Sequence, residues 1–275
     1  MNPRIIGLLA ETMIHPGQGR QQGILDLPVS REKWTDYPFI AGSALKGALR
    51  EKADDAKFQF MKQIFGHHIK GAGAIGFTDA RLLLLPVRSL HGHYFWVTCP
   101  YLLERYQRDL ALSGRMTSRL DWNVKDHQVL VGSGSTAKDM IYLEEFSYYV
   151  HKDSVLDQMI EWISPLIYHE SVKKRLSKQV AVISDDEFHF FAQYALPIQY
   201  KNKLTDKKTS ESVWQEENLP PDSIMYSLMI PRGSESEAVT AFETLITEDP
   251  YLQIGGNEST GSGWFVTRLW KGERE

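Results

Sequence analysis

Apolar positions along this chain follow two rhythms. Residues 5–12 form an apolar run with no helical spacing, the signature of a buried strand. After Gly42 the period lengthens. Leu45 and Leu49 recur at i,i+4, and Lys46 and Arg50 share a neighbouring face, so a helix is expected over 43–57 with Ser43 as its N-cap. Strands are expected over 74–87, bent near 78–81, and over 95–98. Pro100 stands where a helix over 101–112 would begin. An aromatic strand over 141–150 precedes an amphipathic helix over 153–167, with Val155, Met159, Trp162 and Ile163 on one side. Residues 197–220 read as a long hairpin whose polar, basic end carries Lys201, Lys203, Lys207 and Lys208. A strand over 224–230 follows. Ser234 and Glu237 then have capping-box spacing ahead of the stripe Ala238, Phe242, Leu245 and Ile246. Strands over 251–254 and 264–270 flank a glycine-rich stretch, 255–263. This order predicts an α+β fold, and a ferredoxin-like core with insertions accommodates it.

Composition narrows the class. The chain has 275 residues, 42% hydrophobic and 24% charged, which suits one elaborated globular domain over 1–275. A formal net charge of -4 argues mildly against nucleic acid, although a basic groove can coexist with acidic outer faces. The single cysteine, Cys99, excludes an internal disulfide and a cysteine-built zinc site, and fits the cytoplasm. Residues 5–10 end at Glu11 and read as a strand, not a leader. The run 82–87 is too short to span a bilayer, so no membrane role is expected.

Several constellations could carry chemistry. Gly42-Ser43-Ala44-Leu45-Lys46-Gly47-Ala48-Leu49-Arg50 would offer backbone N–H groups and two cations to a phosphate; a capped helix with a solvated basic face is the plainer reading. Gly255, Gly256, Gly261 and Gly263 allow sharp turns or close approach of a ligand, but lack the order of a dinucleotide or phosphate-binding loop. The long segment 14–37 is glycine-rich and loop-like. On it, Asp26 between Leu25 and Leu27 could bind a divalent cation or act as a general base, or simply form a turn. His15 could act as acid or base, or hold the loop. His67-His68 and His91 with His93 lack metal-site spacing. The aromatics of 142–149 could stack bases, with strand core the competing role.

Taken together these motifs resemble one family. They are the opening loop from Thr12 through His15 to Leu25-Asp26-Leu27-Pro28, the helix motif Gly42–Arg50, Ile64-Phe65-Gly66, Asp79-Ala80-Arg81 with Pro86-Val87-Arg88-Ser89, and Ile254-Gly255-Gly256-Asn257 with Gly261-Ser262-Gly263. The chain resembles the repeated backbone subunit of type III-B (Cmr) CRISPR effector complexes, in the RAMP superfamily; the related type III-A (Csm) backbone subunit is the nearest competing reading. The resemblance implies a ferredoxin-like (RRM-like) palm with inserted fingers and a thumb hairpin at about 197–220. It implies copies stacked on a guide RNA beside the small subunit and the large polymerase-like subunit. Complementary target RNA would be cut at regular intervals with a divalent cation, Mg²⁺ or Mn²⁺. Asp26 takes the catalytic and metal-holding position. Gly42, Ser43, Lys46, Gly47 and Arg50, with Gly255, Gly256, Gly261 and Gly263, fall on RNA-binding motifs. Leu204 and Val213 are candidate wedges that displace a nucleotide, and Glu217 could assist Asp26 across a subunit boundary. The alternatives are a non-catalytic RNA-binding subunit, or a metal-free guide-processing nuclease using His15.

Overall fold

The structure is a computed structural model describing residues 2–17, 25–67, 71–115, 119–233 and 236–271. Its centre is four antiparallel strands in the order Trp264–Trp270, Arg4–Ala10, Ile224–Pro231, Ala80–Arg88. The helix Gly42–Asp55 joins the first strand to Ala80–Arg88, and the helix Glu237–Glu248 lies between Ile224–Pro231 and the last strand. That strand order with two crossover helices is the ferredoxin-like core expected from the sequence.

The strand Arg4–Ala10 explains its unbroken apolar run by being covered on both sides. Ile6, Leu8 and Ala10 join the core cluster under the two helices, which includes Leu45, Leu49, Phe242 and Ile246. Ile5 and Leu9 join a second cluster on the opposite face, with Trp96, Tyr106 and Leu166. Alternate side chains point to opposite faces, so a doubly covered strand needs apolar residues throughout. Gly7 faces the short 3-10 turn Ser164–Leu166, where a Cβ would stand 2.1 Å from the Leu166 carbonyl oxygen.

Beyond Ala80–Arg88 an insertion widens the sheet through Tyr94–Thr98, Val180–Val182, Gln128–Val131, Phe146–Lys152 and Met140–Leu143. Several expectations are corrected here. The strand over 141–150 is two antiparallel strands folded at Glu144, whose φ is +50°. The helix over 153–167 is Ser154–Ile163 and buries Leu156, Met159, Ile160 and Ile163, so Val155 and Trp162 flank the buried stripe instead of lying in it. The helices Glu170–Gln179 and Asp185–Tyr194 were not anticipated.

Two expected caps also move. Ser43 is exposed inside its helix: Ala41 is the N-cap residue, and the carboxylate of Asp79 takes the Gly42 N–H at 2.7 Å. The helix Glu237–Glu248 is capped by Ser236, which accepts from the Val239 N–H; Ser234 lies outside the described residues, as do Gly19, Gly23 and His68.

Candidate active site

His15, Asp26 and Glu217 come together at the root of the hairpin. The hairpin itself is Ile198–Leu204 paired with Ser210–Glu217. Leu27 runs alongside its returning arm. The Leu27 N–H donates to the Gln215 carbonyl at 3.1 Å, and the Leu27 carbonyl accepts from the Glu217 N–H at 3.0 Å. This short parallel pairing sets the next residue back. One oxygen of the Asp26 carboxylate accepts the Gln215 N–H at 2.9 Å. Asp26 is exposed, and its other oxygen has no partner among the described residues.

Glu217 turns the other way. It is 3% exposed. One carboxylate oxygen accepts the Val29 N–H at 3.0 Å and the other accepts an Arg31 N–H at 2.7 Å. Arg31 also donates to the carbonyls of Asp36 and Ala192, at 2.8 and 2.9 Å. Within one chain, therefore, Glu217 anchors the loop and does not face the solvent that Asp26 faces. A buried carboxylate is tolerated because both oxygens are bonded, one of them to a cation.

His15 is also buried, with Nδ1 2.7 Å from the Glu217 carbonyl oxygen. A carbonyl can only accept, so Nδ1 carries a proton. A Cβ on Gly17 would lie 2.5 Å from that Nε2. The Glu216 carboxylate, 2% exposed, lies 4.0 Å from His15 Nδ1 and accepts from the Asn257 side-chain amide.

Asn257 belongs to the glycine-rich stretch, which wraps the same histidine. Gly255 has φ +98°, and a Cβ there would stand 2.7 Å from the His15 carbonyl oxygen. The Gly256 N–H approaches that oxygen at 3.4 Å, and the Gly263 N–H donates to the Met13 carbonyl at 2.9 Å. Gly255, Gly256 and Gly263 thus close the wall of the site, while Gly261, φ +79°, faces open space.

The expected RNA-binding helix lines a groove of its own. Ser43, Gly47 and Arg50 are exposed and Lys46 is half-buried. Gly42 is used internally: its N–H is held by Asp79, and a Cβ would meet the Phe77 carbonyl oxygen at 2.8 Å. Lys46, Gly47, Arg50 and Lys62 line an open groove of about 870 Å³, with Glu51 and Asp54 on the same groove. Beyond its own helix and chain neighbours, none of the described residues has an atom within 4 Å of a Cβ built on Gly47, so a ligand backbone can approach the helix closely there.

Leu204 and Val213 are 54% and 61% exposed. The register pairs Val213 with Asn202 and Gln215 with Tyr200, so Tyr200, Leu204 and Val213 share one face of the hairpin, with an irregularity between Lys203 and Leu204. Among the described residues no group of three or more His, Cys, Asp or Glu could hold a metal ion. Burial pushes the Cys99 thiol far above its ordinary range, which removes it as a nucleophile. Tyr148 is buried whereas Tyr142 and Tyr149 are exposed.

Sequence reasoning missed Arg31, Glu216 and Asn257. Strand alternation held the signal for one: adjacent acids at the end of a strand point to opposite faces, so Glu216 and Glu217 needed separate partners.

The comparisons agree with this architecture. The family model of the RAMP superfamily matches residues 8–266. A curated protein from Pyrococcus furiosus, CRISPR system Cmr endoribonuclease Cmr4, is 33% identical over 98% of this chain and 96% of its own length. A second, CRISPR system CMR subunit Cmr4 from Saccharolobus solfataricus, is 26% identical over 92% of each chain. The crystal structure of oligomeric Cmr4 from Pyrococcus furiosus superposes with a TM-score of 0.79 at 28% identity, covering 98% of both chains. The fold also matches a chain of the type III-B Cmr-beta complex bound to cognate target RNA, with a TM-score of 0.77 at 20% identity over 98% of this chain and 97% of that one. The chain belongs to the RAMP superfamily, and within it to the Cmr4 family of CRISPR backbone subunits.

Proposed function

We propose that this chain is the guide-RNA-binding, self-stacking subunit of a type III-B CRISPR effector complex, and that it cuts complementary target RNA at regular intervals through Asp26. The observation that carries this reading is the posture of Asp26. One carboxylate oxygen is fixed by the Gln215 N–H and the other is open, at the root of an exposed hairpin. The Cmr4 relative named as an endoribonuclease and the relative crystallised as an oligomer support it. The cytoplasm, where guide and target RNA meet, is the proposed location, with the small and large Cmr subunits as further partners.

The guide backbone would lie along Ser43, Lys46, Gly47 and Arg50, contacting phosphate and sugar and so accepting any sequence. Gly261, which faces open space, would let RNA approach the neighbouring loop, and Gly255, Gly256 and Gly263 would shape that loop. The hairpin, through Leu204 or Val213, would push one nucleotide out of the guide–target duplex. Out of A-form geometry, its 2′-oxygen can line up with the adjacent phosphorus. Asp26 would take the 2′-hydroxyl proton as the oxygen attacks. The bond from phosphorus to the 5′-oxygen breaks, that oxygen gains a proton from solvent, and the products are a 2′,3′-cyclic phosphate and a 5′-hydroxyl. His15, with Nδ1 engaged by the Glu217 carbonyl, would position the loop.

A divalent cation, Mg²⁺ or Mn²⁺, belongs to the proposal. The open oxygen of Asp26 suits a site that takes one carboxylate and completes its shell with substrate phosphates and water. When bound, such a cation neutralises charge on the transferring phosphoryl group.

The test is cleavage of a guide-matched RNA by the reconstituted complex carrying Asp26→Ala, with and without Mg²⁺, alongside RNA binding. Loss of periodic cutting with binding retained is expected. Unchanged cutting would overturn the assignment and move attention to His15→Ala.

A further inference from the structure

Residues 31–37 make a turn restrained from many directions. Glu32 is buried, and both its oxygens accept from Arg105, at 2.6 and 2.8 Å. Thr35 donates its hydroxyl to Glu32 at 2.5 Å, and His189 Nδ1 lies 3.2 Å from the Thr35 carbonyl. Asp36 adopts φ +59°, donates its N–H to the Glu32 carbonyl at 2.8 Å and accepts from the Gln193 amide at 2.5 Å. Tyr37 meets Phe188 edge-on with centroids 5.2 Å apart.

At the tip of this rigid turn stands Trp34, 76% exposed and without a ring partner among the described residues. Leaving so large an apolar side chain in water forgoes the burial its ring would otherwise gain. The turn is also tied to the candidate active site. Arg31 bonds the Asp36 carbonyl with one amino group and Glu217 with the other, and Glu217 holds the Asp26 loop.

We propose that Trp34, on a turn tied through Arg31 and Glu217 to the Asp26 loop, is a base-stacking platform for the target RNA. A rigid, solvated indole offers a π-face to any base without reading its identity, as a subunit serving any guide sequence requires. Lys33, exposed next to it, supplies a cation for the adjoining phosphate. A docking site for protein would need apolar neighbours around the ring. Trp34 is instead flanked in the chain by Lys33, Thr35 and Asp36, while Phe190 meets Phe146 edge-on and Tyr194 at a tilt. This inference rests on the target-cutting reading above and adds a contact to it.

The experiment compares Trp34→Ala and Trp34→Phe in the reconstituted complex for target-RNA affinity, single-turnover cutting, thermal unfolding and number of stacked copies. Trp34→Ala should unfold and assemble as the wild type does, yet bind target about tenfold more weakly, with Trp34→Phe recovering most of the loss. Wild-type affinity in Trp34→Ala would overturn the proposal. So would a loss of stacked copies at unchanged stability, which would make the ring a contact between copies. An Asp26→Ala arm separates the two readings. It tests cutting alone, whereas the Trp34 effect is read in binding and survives even if cutting belongs to another residue.

Discussion

The two ends of the hairpin Ile198–Leu204 and Ser210–Glu217 are built on opposite plans. At the root, Glu216, Glu217, Asn218 and Leu219 are all buried, and the arm is laced to the Asp26 loop, His15 and Asn257. Toward the tip, every residue from Asn202 to Val213 is exposed, and the bonds there close only the hairpin itself, as between Thr205 and Thr209 or Lys203 and Glu211. The root fixes the position of a catalytic candidate; the tip presents apolar side chains to whatever lies beyond the chain. One element thus combines a rigid anchor with a free probe.

The largest effect should come from removing the anchor. Glu217→Ala leaves Arg31 without its carboxylate and Val29 without an acceptor, and should cost about 3–5 kcal/mol, measured by denaturant unfolding of the free subunit. A wild-type midpoint would dissolve the contrast between root and tip. Next, Gly255→Ala forces a side chain into a left-handed backbone against the His15 carbonyl and should cost about 1–3 kcal/mol. Gly261→Ala, equally left-handed but facing open space, should cost only about 1 kcal/mol. Equal losses at the two glycines would mean that the wall around His15 is not close-packed. The smallest change in stability belongs to the tip: Leu204→Ser should stay within about 0.5 kcal/mol of the wild type, while the spacing or rate of target cutting changes in a gel assay. A large stability loss there would show that the tip packs within its own chain.

Much of this was legible in the residues. The unbroken apolar run of the first strand and the i,i+4 leucines of the first helix each encode their burial locally. The meeting of His15, Asp26 and Glu217 does not, because it depends on pairing a loop with a hairpin arm far away in sequence, through backbone groups every residue carries. Ser43 misled for a related reason. A serine at a helix start is a common cap, but here Asp79, on another element, takes the first N–H. The helix Asp185–Tyr194 was readable and passed over: Ser184 and Glu187 have capping-box spacing, and the Ser184 hydroxyl lies 3.1 Å from the Glu187 carboxylate.

The placing of the first strand has a consequence for how the molecule is made. Ile5 pairs with Leu228 on one side and with Trp270 on the other. A ribosome that has delivered residues 4–200 has supplied neither neighbour of Arg4–Ala10. That strand must wait, apolar on both faces, until Ile224–Pro231 and Trp264–Trp270 have been made. Contacts so distant in sequence close slowly, and an unpaired apolar strand is a template for aggregation. Folding of the central sheet should therefore lag far behind synthesis of Arg4–Ala10, and the yield of native protein in cells should respond to chaperones that shield that strand.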